Sequence, residues 1–282
     1  MGNKLYIIGN GFDLHFHLPT TVKDFKHLLS TKRTYDGNNA AEVFEGYGVD
    51  WGVYEDSLSE LSVDGIAIEN IIFPDYMSDH ESDRDGGIVN MEYYLEELDS
   101  AVKKSLKEMV LCANEAISCA PLSQSDRNLL EPNSPIINFN YTSTIERLYG
   151  VNCFHIHGYY EHGDKLVFGY YEERDSITAR ELKSENEDDH DFYVDSQKEL
   201  ILKFYKSWKK QLKSQELSIF LHDSGLIDTI VVMGHSMSDV DAPYFELIEK
   251  QLHPNKWVVY WHDKVPEYNK YSFASKVKPR RW

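Results

Sequence analysis

Three short apolar runs constrain what this chain can fold into. They are Leu5-Tyr-Ile-Ile8, Ile227-Asp-Thr-Ile-Val-Val-Met-Gly234 and Lys256-Trp-Val-Val-Tyr-Trp261. Each has the length of a strand and is rich in β-branched and aromatic residues. Runs of this kind have no face to give to water, so a sheet built from them needs cover on both sides. Between them lie segments with helical spacing. Residues 90–118 place Leu95, Leu98, Val102, Leu106, Met109 and Val110 on one helical face and read as the longest helix. Helices are also expected over 20–30, 51–62, 197–223 and 239–252. Pro135-Ile-Ile-Asn-Phe139 reads as a second short strand, and Thr142-Ser-Thr-Ile-Glu146 carries a capping-box pattern. Residues 151–157 and 165–169 read as further strands. Apolar strands alternating with helices imply an α/β fold, a parallel sheet flanked by helices.

The expected organisation is one α/β domain over 1–282 with a helical region inserted at about 40–132. Two acidic stretches read as inserted, 63–90 and 172–191, each expected as a solvated loop. The net charge of −18 argues against a DNA- or RNA-binding role, because neutralising phosphates needs a basic face. The locally basic Lys276-Val-Lys-Pro-Arg-Arg-Trp282 reads as a solvated end against an acidic body. No stretch reaches 18 consecutive apolar residues and no signal-peptide pattern is present, so no membrane partner and a cytoplasmic location are expected. Three cysteines without a Cys-x-x-Cys pair suit a reducing compartment. Cys112 and Cys119 are expected to face the core of the long helix.

Ligands of parallel sheets sit at the carboxyl ends of the strands. Four strand ends here carry small or polar residues: Gly9-Asn-Gly-Phe-Asp13, Asn138-Phe-Asn-Tyr-Thr142, His155-Ile-His-Gly158 and Gly234-His-Ser-Met-Ser-Asp239. Gly-x-Gly after a strand and before a helix lets backbone N–H groups approach a phosphate, although Leu14 stands where the dinucleotide fingerprint has its third glycine. His157 is the candidate base, since an imidazole exchanges protons near neutral pH. Asn140 could donate to a ribose hydroxyl or orient a water, or cap the helix near Thr142. Asp13 could bind ribose, act as an acid–base group, or cap. Ser236 and Asp239 could contact a ligand or cap the helix at 239–252. His15-x-His17 and His155-x-His157 each put two imidazoles on one face, yet neither has the carboxylate spacing of a familiar catalytic metal motif, and no metal is expected. No Gly-x-Ser-x-Gly elbow supports a serine hydrolase.

Together these motifs resemble the AbiH-type bacteriophage abortive infection family. The resemblance rests on Leu5-Tyr-Ile-Ile-Gly-Asn-Gly-Phe-Asp-Leu14, Asp50-Trp51 with Glu55, Ile137-Asn-Phe-Asn-Tyr-Thr142, Ile156-His-Gly158 and Gly234-His-Ser-Met-Ser-Asp239. That family is in turn similar to the Rossmann-like, sirtuin-type NAD-binding fold. The resemblance implies that Gly9 and Gly11 meet phosphates, that Asn140 lies near the nicotinamide ribose and that His157 is catalytic. It also implies that Gly234 and Ser236 form a second nucleotide-facing turn. The catalytic set expected is His157, Asn140 and Asp13. The NAD-binding set is Gly9, Asn10, Gly11, Phe12, Thr142, Gly158, Gly234, His235, Ser236 and Asp239. The four-cysteine zinc module of sirtuin deacylases is missing and Thr142 stands where an Asp is usual, so cleavage of NAD is implied rather than deacylation. Two alternatives remain open. One is a non-catalytic nucleotide or ADP-ribose sensor acting through a partner. The other is a metal-dependent hydrolase or nuclease using Asp13, Glu55 and the histidine pairs. A homo-oligomer or a phage-derived trigger are the partners such a role would involve.

Overall fold

The computed structural model describes residues 3–34, 37–117, 122–171, 191–262 and 264–282. In chain order its elements are β1 (Lys4–Ile8), α1 (Asn10–His15), α2 (Val22–Ser30), α3 (Ala40–Gly46), α4 (Val63–Asn70) and α5 (Ser82–Ile117). Then come β2 (Ile136–Asn138), α6 (Thr144–Tyr149), β3 (Phe154–His155), α7 (Phe192–Ser207) and α8 (Ser214–Asp223). β4 (Thr229–Met233), α9 (Ala242–Leu252), β5 (Lys256–Trp261) and β6 (Val277–Arg281) complete the set. The chain forms two compact units. The first joins Met1–Thr21, Lys107–Val167 and Gln211–Trp282; the second joins Val22–Leu106 and Phe168–Lys210.

The first unit holds a six-stranded sheet in the order β3-β2-β1-β4-β5-β6, parallel throughout. β1 is central, with Tyr6 level with Ile136 of β2 and Val231 of β4. Strand alternation sends Leu5 and Ile7 to one face and Tyr6 and Ile8 to the other. The first face joins Ile230, Val232, Trp257 and Val259 to Leu217 and Leu221 of α8 and Tyr244, Phe245 and Ile248 of α9. The second joins Ile136, Val231 and Met233 to Phe12 of α1 and Ile145 of α6. Both faces are covered, as the apolar runs require. The strand order reverses direction between β1 and β4, which is where open parallel sheets form ligand crevices.

The second unit is helical. Ser62 caps α4 by accepting from the Gly65 N–H. Gln197 of α7 binds Ile72 through both its amide oxygen and its amide nitrogen. The Tyr205 hydroxyl donates to Ser59 O at 2.9 Å. Lys210, whose side chain is fully buried, pairs with Glu55 at 3.1 Å.

Several expected elements change form. No strand forms over 165–169: Val167 N–H bonds His157 O, the ladder stops there, and Tyr170 makes one isolated bridge to Lys209. The strand at 151–157 shrinks to Phe154–His155, because its neighbour β2 offers only three residues. The helix over 197–223 breaks in two around Trp208–Leu212, where Trp208 and Lys210 turn inward. Residues 51–60 form three single turns rather than one helix. The stretch 63–90 is not a solvated loop. It contains α4 and the start of α5, burying Val63 and Ile66, and α5 begins eight residues earlier than expected. Cys112 is exposed rather than core-facing; Cys119 lies outside the described residues, as do positions 172–190 of the acidic loop.

The basic segment is solvated as expected, with Lys278, Pro279, Arg280 and Arg281 exposed, but it is also a strand. It is β6, parallel to β5, with Trp257 level with Val277 and Trp261 level with Arg281. Lys278, Pro279 and Arg280 suit an edge strand, since charge and a missing N–H discourage a further strand from adding there. Among the described residues no helix is long and apolar enough to cross a membrane.

Candidate functional site

The loop after β1 is built around a buried acid. Asp13, in the first turn of α1, is 1% exposed. It accepts the Thr142 hydroxyl at 2.7 Å and the Thr144 hydroxyl at 2.6 Å. Burial pushes its carboxyl up to about 6, against the opposing pull of hydrogen bonds from Thr144, Thr142 and Asn140. Asn140 Nδ2 donates to Gly9 O at 3.1 Å, so the β2 loop is tied to the β1 loop through both residues. The expected capping box does not form. Ser143 Oγ donates to Glu161 instead, and Glu146 turns toward β3.

The two glycine turns meet each other. Gly9 N–H donates to Met233 O at 3.0 Å, Gly11 N–H to Gly234 O at 2.7 Å, and Phe12 N–H to Gly9 O at 2.9 Å. A Cβ on Gly11 would stand 2.7 Å from Gly234 Cα, and one on Gly9 would stand 2.6 Å from His235 Cα. Gly234 also has φ +68°, and a Cβ there would lie 2.4 Å from Phe12 N. The glycines therefore let two backbones touch at the β1/β4 switch point, and the Gly11 and Phe12 amides are engaged within the turns.

Beyond β3 and β4, one carboxylate is flanked by two imidazoles. Asp241 Oδ1 lies 3.1 Å from His157 Nε2, and its Oδ2 lies 3.3 Å from His235 Nε2. His235 Nδ1 accepts the Met237 N–H at 2.9 Å, so the ring proton sits on Nε2 and points to Asp241. Phe139 meets both rings edge-on, with centroids at 5.1 Å from His157 and 4.4 Å from His235. The three polar residues are 5–6% exposed. His157 Nε2 is within ion-pair distance of Asp241 without making a hydrogen bond among the described residues, so the pair is an electrostatic contact between a carboxylate and a group that can exchange protons near neutral pH.

Of the residues singled out from sequence, Gly9, Gly11, Asp13, Asn140, Thr142, Gly234 and His235 come together at the ends of β1, β2 and β4. His157 joins His235 through Asp241. Others point elsewhere. Phe12 is fully buried among Phe16, Tyr149 and Trp282. Asn10 donates to Thr20 O at 2.8 Å. Gly158 has φ +93°, and a Cβ there would stand 2.7 Å from Lys165 O. Ser236 is exposed and bonds Ser238, while Asp239 pairs with Lys270 at 2.6 Å. The histidine pairs do not act as pairs: His155 Nε2 faces Glu146 at 2.9 Å while His157 faces Asp241. His15 bonds Asp126 and stacks on Trp282 at 4.4 Å. Sequence reading missed Asp241 and Thr144. The first stands two residues beyond Asp239, and only the turn preceding α9 decides which acid points inward.

No curated protein and no solved structure matches the chain. The model of the bacteriophage abortive infection AbiH family matches residues 5–261, which include every strand end described above, and the chain belongs to that family.

Proposed function

We propose that this protein serves abortive infection by binding a nicotinamide-type nucleotide at the carboxyl ends of the central strands and hydrolysing NAD in the cytoplasm. The C1′–N bond to nicotinamide breaks with its electron pair leaving on nicotinamide. Water adds to C1′, and His157 takes the water's proton. The observation that carries the reading is the Asp241 carboxylate set between His157 and His235. The strand order is a second support, being that of doubly wound dinucleotide-binding sheets. Asn140 orients the ribose or the water. The glycines act by joining the β1 and β4 turns, since the Gly11 amide already has its acceptor.

The test is purified protein with NAD, with free nicotinamide followed over time. His157→Ala is expected to lower release about 10²–10⁴-fold while the fold is retained. Equal release by wild type and His157→Ala overturns the assignment. The burial of His157, Asp241 and His235 favours a second reading, a sensor that binds a nucleotide or ADP-ribose and signals to a partner. Under that reading NAD or ADP-ribose raises the melting temperature without nicotinamide release, and His157→Ala still arrests infected cells.

A further inference from the structure

We propose that Glu146, Cys153 and His155 form a binding site for one zinc-class divalent cation, distinct from the proposed nucleotide chemistry. α6 ends at Gly150, whose φ of +66° reverses the chain into β3. That reversal sets Glu146 over Cys153, just before β3, and His155, two residues on in the strand. Sγ and Nε2 lie 3.4 Å apart, and each lies 2.9 Å from Glu146 Oε1. At a tetrahedral zinc, bonds of about 2.3 Å to sulfur and 2.0 Å to nitrogen separate those two atoms by roughly 3.5 Å. The carboxylate need retreat only by roughly half an ångström to complete the same geometry.

Three further features fit a cation. His155 Nδ1 lies 3.0 Å from Asn140 O, and a carbonyl only accepts, so the proton sits on Nδ1 and Nε2 turns toward Glu146 and Cys153. Metal-bound histidines are held in this way, by a backbone carbonyl on the other nitrogen. Tyr159 stacks on the same ring at 4.2 Å and 9°, which fixes its plane. Glu146 Oε2 is buried with no hydrogen-bond partner among the described residues, a state that native structures rarely leave unexplained. One thiol, one imidazole and one carboxylate select zinc or its neighbours over calcium or magnesium, which take oxygen donors only. The three also line a cavity of about 460 Å³ with Tyr159, His162 and Asp164, which leaves a fourth position open to water or a ligand.

The test uses the full chain stripped with chelator and then titrated with Co²⁺. Binding of about one equivalent with a thiolate-to-cobalt absorption band, displaced by Zn²⁺, is expected. Cys153→Ser and His155→Ala should each weaken uptake by about 100-fold or more, whereas Cys112→Ser, at an exposed position, should leave it unchanged. Circular dichroism checks that the variants fold. If they do not, the wild-type band alone decides. No cobalt band in wild type, or stoichiometric binding retained by Cys153→Ser, overturns the proposal and leaves the trio as a buried ion pair beside a thiol.

Discussion

Asp13 shows how one position can look like a site and act as a joint. Its spacing after Gly-x-Gly suggests ribose, and both carboxylate oxygens take threonine hydroxyls, from Thr142 in the β2 loop and Thr144 at the start of α6. Its carboxyl ionises near 6 when folded, against an ordinary value of 3.8, so between those pH values the native state binds more protons. Stability contributed through this group therefore falls as pH rises from about 4 to about 6, by about 3 kcal/mol in all, and is level above that. Urea midpoints of wild type and Asp13→Asn at pH 4, 5, 6 and 7 measure it: the difference curve should slope downward to pH 6 and then flatten. A flat difference throughout would show that the burial effect is not expressed. Glycines 9, 11 and 234 teach the same lesson. Sequence marks them as places where something comes close; the structure identifies the close object as another turn. The strand-end position of His157 is readable in the sequence, whereas its approach to Asp241 is not, because that depends on the turn over Asp239–Asp241.

At the scale of elements, the strands with continuous apolar runs were readable and the edges were not. β1, β4 and β5 carry enough buried surface to declare themselves. β6 reads as a charged tail because its pairing uses backbone groups, which sequence patterning does not report. Trp282 ties this segment down. It stacks on His15 and lies 5.7 Å from Phe12, itself fully buried. Trp282→Ala is expected to destabilise the first unit by about 2 kcal/mol, seen as a lower urea midpoint. An unchanged midpoint would mean the stack is incidental. The break between α7 and α8 has a comparable origin. Lys210 is drawn inward by Glu55, and no helical periodicity encodes a partner 155 residues away.

For the whole molecule, the net charge of −18 is the dominant long-range term. Self-repulsion at that charge favours expansion, and salt screens it, shortening the Debye length from about 30 Å at 0.01 M to about 8 Å at 0.15 M. The melting temperature is expected to rise by a few degrees across that range of NaCl. A constant or falling value would show that local pairs such as Asp239–Lys270 offset the repulsion. Both units are assembled from separated stretches of chain, and the second is closed by contacts such as Tyr205 to Ser59 that no local signal announces.

What the sequence by itself determined is the class of sheet and the family: apolar runs must be buried on both faces, and motifs over most of the chain match the family model. Tertiary structure alone decided which polar groups meet. It paired His157 with Asp241 rather than with His155, used the glycines against each other, and gathered Glu146, Cys153 and His155 at one strand. Burial is a property of single residues summed along a chain, so periodicity reveals it. Hydrogen bonds and charge pairs depend on distances of about 3 Å between residues far apart in sequence, and those exist only once the strands are in register.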